Sequence, residues 1–268
     1  MAECSKSKVT MVQLFFLSFS YVFSGLFLIR EKSFLSFLIP LGTTLLFSLF
    51  GFFFLQCAPR TFAEKERFLS FLSCGRAHLA SKALMSFLVL LSALEMLLTW
   101  MAFAFSVNSF SSFLSFSFAA ALVLLLSLLI GSRGLTVLGR FSELSVFLIA
   151  PLLFRFVFRG FESVDFGAFS PNLYALWVVT PAPIFYLFSM TVSESTAMPK
   201  PIRRLFVIPL LCVCGAACAA LCSFLFLLFG MKENHIFFLF FGWTTSAIRL
   251  SLLISVCTAD CFPRKNPV

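Results

Sequence analysis

The chain has 268 residues, 60% of them hydrophobic, with 41 Phe and only 12% charged residues. A soluble domain of this size must cover its surface with polar groups, so this composition excludes one and points to a bilayer as the solvent. The net charge of +9 does not indicate nucleic acid, because the basic residues sit in short segments between apolar runs, not beside aromatic stacking platforms.

A transmembrane helix needs about 20 apolar residues. Eight runs approach that length, near 11–29, 33–56, 83–106, 110–131, 141–158, 173–192, 205–230 and 236–257. Barrel strands alternate in polarity over about 10 residues, whereas Phe113 to Ile130 is apolar on every side. The expected architecture is therefore an all-α polytopic membrane protein of about eight spans, forming one membrane domain over 1–268.

The first run follows Lys6 and Lys8, as a secretory signal would, but it is too long for an h-region and no small-residue cleavage site follows; the sequence predicts a retained span. Ser24-Gly25 is expected to interrupt this helix. The stretch from Cys57 to Lys82 holds five basic and two acidic residues and is expected to lie on the inner surface as an amphipathic helix.

The third run contains Glu95, the one acidic residue deep inside a span. A charge there costs several kcal/mol unless it is paired, protonated or facing water, so Glu95 is expected to face the bundle interior. Ser92 and Thr99 lie three and four residues away, which places all three on one helix face. This polar stripe is a candidate for substrate or proton handling, against the plainer reading of a protonated Glu bonded to a neighbouring helix.

In the sixth run Thr180-Pro181-Ala182-Pro183 breaks the helical pattern, since proline lacks a backbone donor and clashes with the preceding turn. Inside a bilayer the freed backbone groups need protein or a water-filled cavity around them, and paired helix interruptions point to a transporter site. A simple kink is the alternative at both breaks.

The seventh run holds Cys212, Cys214, Cys218 and Cys222 among Gly215, Ala216, Ala217, Ala219 and Ala220. Cys214, Cys218 and Cys222 share a face, which predicts a small-residue helix-packing surface. A metal site would also want His or carboxylate partners, and the chain's two His are His78 and His235. Arg249, in the middle of the eighth run, is the basic counterpart of Glu95 and its expected structural partner. Cys257 and Cys261 lie at the membrane edge, where they are candidates for acylation.

The distribution of basic residues orients the bundle. Lys6, Lys8, Arg60, Lys65, Arg67, Arg76, Lys82, Arg133, Arg140, Lys200, Arg203, Arg204, Arg264 and Lys265 fall on one side. Arg30, Lys32, Arg155, Arg159 and Lys232 fall on the other. By the positive-inside rule both termini are expected in the cytoplasm. Enzyme signatures such as His-Glu-x-x-His, Gly-x-Ser-x-Gly and Gly-x-x-x-x-Gly-Lys are absent from the sequence, so no catalytic activity, metal or cofactor is expected.

The stretch Gly134-Leu-Thr-Val-Leu-Gly-Arg140-Phe-Ser-Glu143-Leu, followed by Pro151 and by Asp165-Phe-Gly-Ala-Phe-Ser-Pro171, resembles the spore germination permease family, the permease-like subunits of nutrient germinant receptors. Gln13 at the start of the first helix, the segment Arg60-Thr-Phe-Ala-Glu64 and the turn Met198-Pro-Lys-Pro-Ile-Arg-Arg204 fit the same family. The resemblance implies a relative of the amino acid–polyamine–organocation transporters, with five-plus-five inverted repeats and broken first and sixth helices.

On that basis the first repeat would cover about 11–158 and an incomplete second one about 173–257. Helices nine and ten of the family pattern would be absent, and the interval from Pro171 to Lys200 would be compressed. The implied function is that of a receptor subunit at the spore inner membrane, sensing a small nutrient such as an amino acid and acting with other germinant-receptor subunits. A proton- or sodium-coupled amino-acid permease and a degenerate membrane scaffold are the alternatives. The implied substrate-binding residues are Ser24, Gly25, Glu95, Thr99, Thr180, Pro181 and Pro183, with Phe23 or Phe185 grading the ligand's side chain.

Overall fold

The computed structural model describes residues 9–29, 79–111, 115–157, 201–228 and 236–261. They form helices α1 (Met11–Ile29), α2 (Leu79–Phe110), α3 (Phe116–Gly131), α4 (Leu135–Val157), α5 (Pro201–Leu228) and α6 (Ile236–Cys261), with no strand among the described residues. The expected spans 33–56 and 173–192, the surface segment up to residue 78, and with them Thr180, Pro181, Pro183 and Phe185, lie outside the described residues.

Three helical stretches are long and apolar enough to cross a membrane, Met11–Leu28, Val89–Phe110 and Phe238–Ser255, and α3 with α4 adds a fourth if that bent pair is one span. The side chains are sorted as a bilayer requires. Leu90, Leu97, Phe105, Leu125, Leu129, Leu144 and Phe147 are exposed, whereas Ser92, Glu95, Thr99, Ser127, Ser142, Thr245, Ser246 and Arg249 are buried. Water would select the reverse, because exposed leucine and buried charge are both unfavourable there. A helical membrane protein is thus the class these elements form.

α1 is the axial helix. Its residues from Leu17 to Leu26 are buried on every side, as expected of a helix apolar all round, and it packs against α5, α6, α4 and α2. It begins at a reciprocal capping box: Thr10 N–H donates to Gln13 Oε1 at 3.1 Å and Gln13 N–H to Thr10 Oγ1 at 3.2 Å, so two orphan donors of the first turn are satisfied. Its neighbours approach closely where they carry glycine. A Cβ at Gly215 of α5 would stand 2.8 Å from the Phe15 carbonyl oxygen, and one at Gly139 of α4 would stand 2.8 Å from Gln13 Cβ.

Two expectations about α1 and α5 are corrected. The helix does not break at Ser24-Gly25; α1 is continuous from Met11 to Ile29. A glycine within a helix costs only about 1 kcal/mol, and here packing on all sides holds the backbone in register. The cysteine stripe is also not the packing face. Cys214 and Cys218 are exposed, and the buried face is instead Cys212, Gly215, Ala216, Ala219 and Ala220. Ser18 of α1 fastens that face by donating to the Cys212 carbonyl at 2.8 Å.

The fourth and fifth expected spans are closer together than their sequence suggests. α4 begins at Leu135, not near 141, so Arg140 lies on a helix and not in a loop. Ser132 to Gly134 alone separate it from α3, and the two helices bend by 113°. Gly134 makes the turn with φ +91, a conformation that disfavours side chains with a Cβ. On α3 the buried positions Ala119, Val123, Ser127 and Gly131 recur every fourth residue, the spacing that lets helices approach in lipid. Gly131 meets α6 there, its Cβ position 3.0 Å from the Ser251 carbonyl oxygen.

Candidate functional site

α1, α2 and α6 meet at a buried group of three polar side chains. Glu95 projects from the inward face of α2, with Ser92 and Thr99 one turn to either side, and all three are at most 1% exposed. The stripe predicted from spacing is therefore an interior stripe. Arg249 of α6 is also fully buried and donates through Nη2 to Glu95 Oε1 at 2.5 Å. The expected pairing of the two mid-span charges is present. Neither group is tolerable as a lone charge in a medium this apolar, and each is the other's partner.

Tyr21 of α1 completes the group. Its hydroxyl donates to the same Glu95 oxygen, and the guanidinium carbon of Arg249 lies 4.4 Å from the centroid of its ring, within cation–π range. The backbone takes part as well. The Tyr21 carbonyl accepts from Arg249 Nη1 at 3.3 Å and from the Ser24 hydroxyl at 3.0 Å, in addition to its regular helical partner, the Gly25 N–H. One residue of α1 thus presents a donor to the carboxylate, an acceptor to the guanidinium and a π face to the cation.

Of the residues predicted for a site, Ser24, Gly25, Glu95 and Thr99 are brought to this crossing. Ser24 joins it through the Tyr21 carbonyl and not through a helix break. Phe23 points elsewhere, into a buried aromatic stack with Phe241 at 4.8 Å and Phe19 at 5.9 Å between ring centroids. Tyr21 is the member that the sequence reading missed. Its signal was a tyrosine mid-span, where a hydroxyl needs a hydrogen-bond partner.

The centre is not fully satisfied. Oε1 of Glu95 accepts both bonds described above, whereas Glu95 Oε2 and Thr99 Oγ1 are buried without a hydrogen-bond partner among the described residues. Buried polar atoms of this kind are costly unless they are partnered. Chemically the arrangement offers a carboxylate oxygen and a hydroxyl one helical turn apart, backed by a guanidinium and an aromatic ring. Among the described residues no group of three or more His, Cys, Asp or Glu side chains is placed to hold a metal ion.

Outside the crossing, two indole donors and a serine pair knit the same helices. Trp100 Nε1 donates to the Ala120 carbonyl at 2.9 Å and Trp243 Nε1 to Ser106 Oγ at 3.0 Å, tying α2 to α3 and to α6. Ser20 and Ser142 share a hydrogen bond at 2.7 Å, and the Ser142 hydroxyl also lies 2.5 Å from the Phe16 carbonyl oxygen, so α4 is fixed to α1. The chain matches no protein-family model, no curated protein and no solved structure.

Proposed function

We propose that the chain is a membrane subunit of the germination-permease type that senses a small nutrient, an amino acid being the class the resemblance implies, at the Tyr21–Glu95–Arg249 centre. The observation that carries this reading is the division of labour at Glu95. One carboxylate oxygen holds the helices together through Tyr21 and Arg249, and the other, like Thr99 Oγ1 one helical turn away, has no hydrogen-bond partner among the described residues. A buried carboxylate oxygen and a hydroxyl that can accept or donate, on one helix face, suit a ligand that carries N–H donors, such as an ammonium group. Because the same carboxylate also tethers α1 and α6 to α2, a ligand engaging it would change how three helices are held. That coupling is what a sensor needs, since a ligand shifts an equilibrium only through differential contacts with its states.

The packing of α1 on α4 supports the family reading. The likeness rests on Gln13 and on the stretch beginning at Gly134, and Gly139 from that stretch packs directly on Gln13. Ser142 of the same stretch bonds to Ser20. Gln13 and the stretch from Gly134 to Leu144 therefore meet at one interface.

A second reading, a membrane scaffold that binds partner subunits and no small molecule, is favoured by the closure of the centre, with Tyr21, Glu95, Thr99 and Arg249 all at most 1% exposed. The experiment that separates the two is replacement of Glu95 by Gln at the native locus. The sensing reading expects a shifted nutrient threshold for germination with normal membrane insertion; an unchanged nutrient response together with normal insertion contradicts it.

A further inference from the structure

The elbow between α3 and α4 carries the second concentration of unmatched polarity, and here it is on the outside. α3 ends in exposed Leu125, Leu128 and Leu129. After the Ser132–Gly134 turn, α4 presents Val137, Phe141, Leu144 and Phe147 on its outer face. Arg133 projects from the turn and Arg140 from the middle of that apolar face, and both are exposed. Among the described residues neither guanidinium has a hydrogen bond or ion pair. Glu143, the nearest carboxylate along α4, is half-buried, which leaves the elbow with a net positive charge.

A guanidinium left in hydrocarbon costs several kcal/mol, so both side chains must reach the headgroup layer while their aliphatic stems lie against the leucines. The bend serves that placement. With α3 crossing the bilayer near its normal, as an exposed apolar helix would, a helix leaving it at 113° runs neither onward nor straight back, and its first turns stay near the depth at which α3 ends. At that depth the anion available to pair with a guanidinium is a lipid phosphate, which guanidinium binds in a bidentate fashion. The net positive charge favours a headgroup without a compensating cation.

We infer that the α3–α4 elbow is a docking site for anionic phospholipid, its phosphate held by Arg133 and Arg140 and its acyl chains lying along Leu129, Val137 and Phe141. This does not depend on the sensing role of Glu95. It ties a lipid to α4, whose opposite face carries the Gly139 and Ser142 contacts to α1.

The test is native mass spectrometry of the purified full-length chain titrated with phosphatidylglycerol or phosphatidylcholine. The wild type should retain phosphatidylglycerol in preference to phosphatidylcholine. R133Q/R140Q should weaken phosphatidylglycerol binding roughly 30-fold, from about 1 kcal/mol for each basic side chain near an anionic surface. R133K/R140K should still prefer phosphatidylglycerol but bind it less tightly than the wild type, keeping the charge while losing the bidentate contact, which separates loss of charge from loss of fold. Equal retention of the two lipids by the wild type, or undiminished phosphatidylglycerol binding by a helical R133Q/R140Q protein, would overturn the assignment.

Discussion

Arg249 of α6 donates to Glu95 of α2 at 2.5 Å with both side chains shielded from solvent, and this one contact joins residues 154 positions apart. Breaking such a pair from one side leaves an uncompensated buried charge and costs roughly 3–5 kcal/mol, whereas replacing both partners with apolar groups is often neutral. Arg249→Leu is therefore expected to lower the thermal midpoint of the purified protein strongly, and Glu95→Leu/Arg249→Leu to recover most of the loss. Additive losses in the double variant would mean that the two side chains do not act as a pair.

Tyr21 has two separable roles, and two substitutions divide them. Tyr21→Phe removes the donor to Glu95 but keeps the ring beneath the guanidinium, a loss of about 1–3 kcal/mol for a hydrogen bond to a charged group. Tyr21→Leu also removes the cation–π contact, worth about 0.5–2 kcal/mol more. Chemical denaturation in detergent should rank the stabilities wild type, Tyr21→Phe, Tyr21→Leu. If Tyr21→Phe equals the wild type, the hydroxyl contributes nothing to the centre.

The glycine contacts give a ranking of a different kind. At Gly215 a side chain meets the α1 backbone itself, with Phe15 O at 2.8 Å, so Gly215→Val must push α5 away. At Gly134 nothing lies within 4 Å and only the positive φ opposes a Cβ, a cost of about 1–2 kcal/mol. Gly215→Val should depress the melting temperature more than Gly134→Ala. The opposite order would remove the close approach of α1 and α5 from the account.

At the start of α1, Thr10→Ala opens the capping box and should cost about 1 kcal/mol. Thr10→Ser retains the hydroxyl and should cost little. Equal melting temperatures for wild type and Thr10→Ala would show that the first turn is held by packing alone.

These expectations show which parts were legible in the sequence. Continuous apolar length located the described helices, because a bilayer imposes about 20 residues on each span. Glu95 and Arg249 were legible as a pair because each charge is intolerable in lipid without the other. Tyr21 was not, since a tyrosine is at home in many membrane settings and nothing in a linear pattern tells which helices cross. Thr10-x-x-Gln13 has the spacing of a capping box, a four-residue signal that chance also produces and that only the side-chain geometry distinguishes.

Ser24-Gly25 misled for a physical reason. Glycine and serine are the residues of broken helices, but they are also the residues that let a central helix be packed on all sides. Here Ser24 bonds back to its own helix at the Tyr21 carbonyl and no break results. The cysteine stripe misled in a similar way. Four-residue spacing shows that side chains share a face, but the face turned to α1 is the one with the glycine and alanines. The elbow at Ser132–Gly134 was hidden because two apolar runs with arginines between them look like two spans and a loop.

The central claim is that Glu95 is a ligand-responsive group and not only a structural tie. Thermal unfolding of the purified full chain, with each common L-amino acid added in turn, tests it most directly when run in parallel on wild type and Glu95→Gln. At least one amino acid should raise the midpoint of the wild type and leave that of Glu95→Gln unmoved. Identical shifts in both proteins, or no shift with any amino acid in the wild type, would contradict it.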